Sequence, residues 1–291
     1  MRAELPKVPP VFFFVYIRTQ NVFVKVYELT ETQPTPLREK HYTAKILWRK
    51  DLSDDLWLIR VDPGGPFTFK AGQYATLGVE HGGKRIERAY SIVSSPYEEG
   101  LEFFLELVPQ GELTPHLYKL HPGDTLLCRR ISKGRFTLDL KSGRTTHLLL
   151  ATVTGLAPFV SYVRTLYKDW KSGNSPMPGN HNFFCIQGGS RSWEFGYREE
   201  MEKYAAETPW FKYVSTISRP WEDPNWKGET GRVDDLVCKY VTGWGLKPEE
   251  TTGYLCGHPN MVENCRGILQ RAGWPNGSMF EEVYFQPAKE E

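Results

Sequence analysis

Short apolar runs at residues 44–48, 56–61, 74–79, 89–93, 101–108, 125–128 and 136–140 are separated by turn residues, among them Pro63-Gly64-Gly65-Pro66, Gly82-Gly83 and Pro122-Gly123-Asp124. Many short strand-forming runs with turn signals between them, and few helical patterns, predict an antiparallel barrel. After Lys141-Ser142-Gly143-Arg144 the rhythm changes. Runs at 147–152, 182–187, 211–217, 253–256 and 281–285 read as strands, and helical patterns follow the first, second and fourth. Strands alternating with helices predict a mostly parallel sheet covered on both faces, with ligands bound beyond the carboxyl ends of the strands. The expected architecture is α+β with two domains: an antiparallel barrel over 41–142 and an α/β domain over 146–285, with an extension at 1–40 and a tail at 286–291. In the extension, Val22-Phe23-Val24-Lys25-Val26-Tyr27 is rich in strand formers between prolines, as in an added hairpin or a loosely packed arm, and carries no chemical signature.

Composition narrows the function classes. The 291 residues are 40% apolar and 24% charged, with 36 basic against 35 acidic side chains, which gives no reason to expect wholesale nucleic-acid binding or disorder. Cys128, Cys185, Cys238, Cys256 and Cys265 include no C-x-x-C pair, so an iron-sulfur cluster is not expected, and an odd count without paired spacing reads as reduced thiols in a cytoplasmic protein. The seven histidines show no zinc spacing, and no metal site is expected. The apolar stretch Val11 to Ile17 is far short of the roughly 20 residues a helical membrane span requires. Arg18-Thr19-Gln20-Asn21 follows it where a signal peptide would place a small-residue cleavage site, so a soluble chain is expected.

Four segments carry candidate chemistry. On a strand, Arg88 and Tyr90 of Arg88-Ala89-Tyr90-Ser91 share a face, which puts a forked cation beside an aromatic ring. One ligand with a phosphate and a flat ring system would use both, although an exposed Arg on an ordinary barrel strand has the same pattern. Gly111-Glu112-Leu113-Thr114-Pro115 stands before His116-Leu117-Tyr118-Lys119-Leu120, with Thr114 a plausible N-cap and Pro115 suited to the first helical turn. Free amides at such a start bind pyrophosphate, and a plain capped surface helix would be built from the same residues. Leu148-Leu149-Leu150-Ala151-Thr152-Val153-Thr154-Gly155-Leu156-Ala157-Pro158 is a strand entering a Gly-containing turn and a helix, the geometry of a dinucleotide phosphate site. Cys256-Gly257-His258-Pro259-Asn260-Met261 repeats that arrangement and would face the same crevice, while Cys256 alone also reads as a small buried apolar side chain.

Taken in this order, the segments from about Tyr42 to Phe285 resemble the ferredoxin-NADP reductase family, and more closely its bacterial members that act with ferredoxin or flavodoxin. The resemblance implies a six-stranded antiparallel FAD-binding barrel followed by a five-stranded parallel NADP-binding domain. It implies a flavoprotein oxidoreductase, a ferredoxin/flavodoxin–NADP+ reductase, using FAD and NADP(H), with a small electron-carrier protein, ferredoxin or flavodoxin, as partner. By the same resemblance Arg88 would bind the FAD pyrophosphate, Tyr90 would flank the isoalloxazine and Ser91 would lie near flavin N5. Gly111 and Thr114 match the pyrophosphate loop. Thr154, Gly155, Ala157 and Pro158 match the G-T-G-x-A-P turn, and Cys256, Gly257 and Pro259 the C-G-x-P loop beside the nicotinamide. Ser218 and Arg219 match the S-R pair that reads the adenosine 2′-phosphate, with Lys227 and Arg191 as further charges nearby. Glu282-Val283-Tyr284 matches the E-V-Y ending, which places Glu282 near the nicotinamide and makes Tyr284, or alternatively Phe285, the ring that covers the flavin.

One position departs from the pattern. Val153 stands where the first glycine of G-T-G-x-A-P is expected, so that either the turn keeps an extended backbone there or nucleotide affinity is reduced. The departure also motivates a regulatory protein that keeps the fold without turnover. A reductase component of a multi-component oxygenase, or an NAD(P)H flavin reductase, would use the same two domains.

Overall fold

The computed structural model describes residues 40–174 and 181–284. The expected hairpin at 22–27, the tail at 286–291 and the alternative covering ring Phe285 lie outside these residues. Six strands, β1 (His41–Asp51), β2 (Leu56–Asp62), β3 (Tyr74–His81), β4 (Lys84–Ser91), β5 (Leu101–Glu106) and β6 (Thr125–Arg129), form one antiparallel sheet in the order β4-β3-β6-β1-β2-β5. The sheet curls until its two ends, β4 and β5, approach each other. The short helix α1 (Thr114–Leu117) lies between β5 and β6.

Strand β2 explains why its apolar residues run on without a polar break. Trp57, Ile59 and Val61 point into the barrel core with Ala44, Leu77 and Phe103, while Leu56 and Leu58 point out into a second core shared with the parallel sheet. Burial on both faces converts the alternating pattern of a half-exposed strand into a continuous run. In β5, Phe103 and Leu105 face inward and Phe104 outward in the same way.

The run at 136–140, expected as a seventh strand, is not one. Two of its backbone groups bond to side chains of the second domain instead: Tyr162 donates to the Phe136 carbonyl at 2.5 Å, and the Asp139 amide donates to the Tyr254 hydroxyl at 2.8 Å. Phe136 is buried against Phe159, Tyr162 and Tyr254, so the apolar character of this segment serves the junction between domains.

The second sheet comprises β7 (Thr146–Thr152), β8 (Asn182–Gly189), β9 (Phe211–Ile217), β10 (Glu229–Thr230), β11 (Thr251–Gly257) and β12 (Met279–Val283). Every pairing is parallel, in the order β10-β9-β8-β7-β11-β12. The sheet has six strands where five are expected, because the two-residue β10 adds to the β9 edge. Helices α2 (Ala157–Lys171) and α3 (Arg198–Glu207) cover one face and α4 (Val233–Gly243) and α5 (Pro259–Arg271) the other. Helix α4 is not among the elements expected from the sequence. Among the described residues no helix is long and apolar enough to cross a membrane.

Strand order reverses beside β7: β8 and β9 extend the sheet to one side, and β11 and β12 to the other. A reversal of this kind leaves a crevice between the loops leaving the two central strands, here β7 and β11. The Thr152 and Gly257 loops therefore meet there.

Candidate functional site

A cleft of about 820 Å³ opens at the carboxyl ends of β7, β8, β9 and β11, within the range of cofactor pockets. Thr152, Val153, Thr154, Gly188, Ser218, Gly257 and Tyr284 are among its lining residues, and Leu56, Leu107 and Val108 of the barrel form its opposite wall. The β7 and β11 loops are packed backbone to backbone. A Cβ on Gly155 would lie 2.2 Å from the Cys256 carbonyl oxygen, and one on Gly257, whose φ is +132°, would lie 2.2 Å from Thr152 Oγ1. Thr152 Oγ1 also accepts a hydrogen bond from the His258 amide at 2.8 Å. Only glycine at these two positions lets the loops close on each other.

Ala157 and Pro158 start α2 and are buried, so they fix the direction in which the turn enters the helix rather than line the cleft. Pro259 plays the same part in the β11 loop. It opens α5, whose N-cap His258 accepts through its ring Nδ1 from the Asn260 amide at 3.2 Å.

Val153 does not keep an extended backbone. Its φ is +44°, the one left-handed non-glycine among the described residues. The left-handed region costs an L-residue roughly 1–2 kcal/mol and is least suited to a β-branched side chain. Its side chain packs partly against the central core while also lining the cleft. Replacing Val153 with Gly relieves that strain and removes two methyl groups from the cleft wall, at a cost of roughly 0.5–1 kcal/mol in unfolded-state entropy. The expected outcome for Val153→Gly is a fold stability within about 1 kcal/mol of the parent and a several-fold lower dissociation constant for NADP+, read by calorimetry. Weaker binding would mean that the valine backbone is already set for the ligand.

Next to the cleft-lining Gly257 and Tyr284 the two domains bring four expected residues together. Ser91, at the end of β4, donates to Glu282 Oε2 at 3.0 Å across 191 positions of sequence. Glu282 pairs in register with Cys256 on the adjacent strand. The Tyr284 hydroxyl interacts with both Cys256 and Ser91, and the residue as a whole is 39% exposed. Burial, with a smaller contribution from Glu282, pushes the Cys256 thiol well up, so it stays a neutral thiol rather than a nucleophilic thiolate.

Burial also raises the Glu282 carboxyl above its ordinary value of 4.5, against the opposing effect of the Ser91 hydrogen bond. A raised carboxyl pKa means that ionised Glu282 weakens the fold at neutral pH, and this cost disappears as pH falls through the folded value. Glu282→Gln is therefore expected to unfold at a higher temperature than the parent at pH 7 and to lose the advantage in acid. In NADPH-dependent reduction of the flavin, the acid limb of the parent's pH profile should lie above 4.5 and vanish in the variant. The same limb in both proteins would assign the titration to another group.

On the barrel surface, Arg88 donates to Glu112 of the 111–114 loop and, at 2.7 Å, to the Glu87 carbonyl. The structure thus joins the two segments expected to share a pyrophosphate. Tyr90 is part-buried against the barrel core, opposite Ala75, and that burial pushes its phenol up. Thr114 is not the N-cap: Leu113 holds that position with αR geometry and no side-chain cap. The Thr114 hydroxyl instead accepts from the Val108 amide at 2.9 Å and donates to the Val108 carbonyl at 3.1 Å, closing the loop beneath Gly111. A phosphate at this loop would be met by backbone amides and by Arg88.

The residues expected at an adenosine 2′-phosphate are brought together only in part. Ser218 lines the cleft; Arg219 and Lys227 do not, and both are exposed. Arg191 does line it, as do Arg232 and His258, to which the motifs assign no role. The available signal for Arg232 is a cation directly after Gly231 at the start of a helix that faces the strand ends.

Comparison with known proteins identifies the two halves. Residues 43–138 match the model described as an oxidoreductase FAD-binding domain, and residues 149–267 the oxidoreductase NAD-binding domain. The ferredoxin–NADP reductase of Pseudomonas aeruginosa is 30% identical over 271 residues, covering 84% of this chain and 98% of its own. The chain belongs to the ferredoxin–NADP reductase family. A second family member, the flavodoxin/ferredoxin–NADP reductase of Escherichia coli, is 31% identical over 231 residues, 76% of this chain and 87% of its own. The crystal structure of the Neisseria gonorrhoeae ferredoxin NADP+ reductase with bound FAD and NADP superposes with a TM-score of 0.72 at 25% identity, over 84% of this chain and 99% of that one. This family member therefore carries its FAD-binding domain on the antiparallel sheet and its nicotinamide-nucleotide domain on the parallel one, and it is an oxidoreductase using FAD and NADP(H).

Proposed function

We propose that the protein moves electrons between NADPH and a small one-electron carrier of the ferredoxin or flavodoxin kind, as a ferredoxin/flavodoxin–NADP+ reductase. The observation that carries this reading is the Ser91–Glu282 hydrogen bond, which sets the end of barrel strand β4 against the Cys256 and Tyr284 end of the nucleotide cleft. The names of its relatives, which pair NADP with ferredoxin or flavodoxin, supply the carrier class.

The residues present fit both cofactors. Arg88 and the amides of the 111–114 loop would hold the FAD pyrophosphate, with Tyr90 flanking the flavin ring. Thr154 and Gly155 would approach the NADP pyrophosphate, with Ala157 and Pro158 directing α2 at it. Bound FAD supplies the conversion between a two-electron hydride and single electrons. Ser91 keeps its one hydroxyl proton on the hydrogen bond to Glu282 and leaves its oxygen as a neutral acceptor at the junction, while Cys256 and Gly257 leave a small, dry contact surface for a ring. Tyr284 stands against both and excludes water until that ring arrives. No side chain need act as a strong acid or base.

The test is to add NADPH to the FAD-loaded protein with a ferredoxin or a flavodoxin and to follow reduction of the carrier. Carrier reduction dependent on the protein is expected. NADPH oxidation that reduces only free flavin or oxygen would contradict the carrier assignment.

A further inference from the structure

The loop after β8 places Arg191 in the wall of the cleft, the loop after β9 carries Arg219 next to the cleft-lining Ser218, and a single carboxylate joins the two arginines. Arg191 donates to Glu222 through its Nε and forms an ion pair with it through Nη2, and Arg219 Nη1 lies 3.5 Å from the other oxygen of the same carboxylate. Glu222 ends the short turn Pro220–Glu222, closed by its own amide donating to the Arg219 carbonyl at 3.0 Å. The next residue, Asp223, accepts from the Ser192 amide at 3.1 Å and so ties this turn to the Arg191 loop. A second carboxylate, Glu194, takes Arg191 Nη1 at 3.2 Å and the Ser190 amide at 2.6 Å.

Two guanidinium groups from neighbouring strand ends, converging on one oxyanion, form a receptor for a forked anionic acceptor. Within the chain Glu222 fills that receptor. We propose that Glu222 is a specificity-determining residue: it holds Arg191 and Arg219 as a counter-ion in the absence of nucleotide, and the adenosine 2′-phosphate must displace it to gain both arginines. A phosphate cannot share the position with a carboxylate without like-charge repulsion, whereas a ribose 2′-hydroxyl can donate to that carboxylate and leave the ion pairs intact. Glu222 thus narrows the preference for NADPH over NADH that the arginines alone would give. The glutamate is one-third exposed, so its displacement does not require the fold to open.

The proposal rests on the nucleotide reading of the cleft, and the two are separable by calorimetric titration of the FAD-loaded protein with 2′,5′-ADP and with 5′-ADP. Glu222→Gln keeps the shape and removes the charge. It is expected to bind 2′,5′-ADP about three- to tenfold more tightly than the parent, with 5′-ADP unchanged or weaker. Glu222→Asp, too short to bridge both arginines, should fall between the two. An unchanged ratio of the two affinities in Glu222→Gln would overturn the role of Glu222 while leaving the cleft reading intact. Failure of either ADP to bind any of the proteins would overturn the cleft and the proposal together.

Discussion

Arg164→Ala is expected to lower the free energy of unfolding by about 3–5 kcal/mol, the cost of removing one partner from a buried charge network. Arg164 projects from α2 and is 11% exposed. It grips Glu200 of α3 with two hydrogen bonds, at 2.7 and 2.8 Å, and reaches Glu102 of β5 at 3.3 Å and Glu98 at 3.4 Å. Glu102, nearly inaccessible, also accepts from Arg60 and from Tyr197, each at 2.7 Å. Burial on its own would push the Glu102 carboxyl up, but Arg164 and the other donors hold it below its ordinary range, so it is ionised at neutral pH. Without Arg164, Glu98, Glu102 and Glu200 are left with too few cations in a desolvated seam between the domains. Urea unfolding monitored by far-ultraviolet dichroism checks the magnitude. The gap between variant and parent should also shrink in acid, since protonation removes the stranded charge in the variant and the paired charge in the parent. A loss under about 1 kcal/mol would mean that the seam is hydrated and the pairs behave like surface ones.

Arg88→Ala is expected to weaken FAD binding by about ten- to a hundredfold, as for loss of a charge-assisted phosphate contact of roughly 1.5–3 kcal/mol. The pair that Arg88 makes with Glu112 does not compete seriously, because both side chains are more than half exposed and such pairs are worth little in water. The backbone amides of the 111–114 loop would still face the phosphate, so flavin affinity should be reduced in the variant without being abolished. Fluorescence of released flavin during dilution gives the measurement, and Glu112→Gln is the control, expected to retain FAD at least as well as the parent. Unchanged retention in Arg88→Ala would place the phosphate elsewhere on the barrel.

Local features of this fold are legible in the sequence wherever one residue type has one physical use. The apolar run at 211–217 coincides with β9, and the turn residues mark the barrel connections. Arg88 with the 111–114 loop, and Ser91 with Cys256, Glu282 and Tyr284, are visible as separate motifs whose meeting requires the fold. What escapes is decided by tertiary contact. The segment at 136–140 has the apolar composition of a strand, yet its Phe136 carbonyl and Asp139 amide are paired with tyrosines from distant elements. Helix α4 follows a Trp-, Pro- and Gly-rich stretch whose turn signals obscure its start, where Arg232 and Asp235 form the cap. Nothing in sequence spacing pairs Arg60, Glu102, Arg164 and Glu200, because charge networks between domains have no periodicity. Val153 shows the limit from the other side: the departure from glycine is evident, but the left-handed backbone persists beneath a residue that disfavours it.

A flavin on the barrel and a nicotinamide nucleotide in the cleft would meet in one molecule through the Ser91–Glu282 junction. The most direct test of this arrangement is to add NADPH, without oxygen, to the purified protein carrying FAD and to record the visible flavin band. Loss of that band is the predicted result. A yellow protein that keeps its colour with NADPH and with NADH would contradict the arrangement, and a protein that takes up no flavin would remove its first half as well.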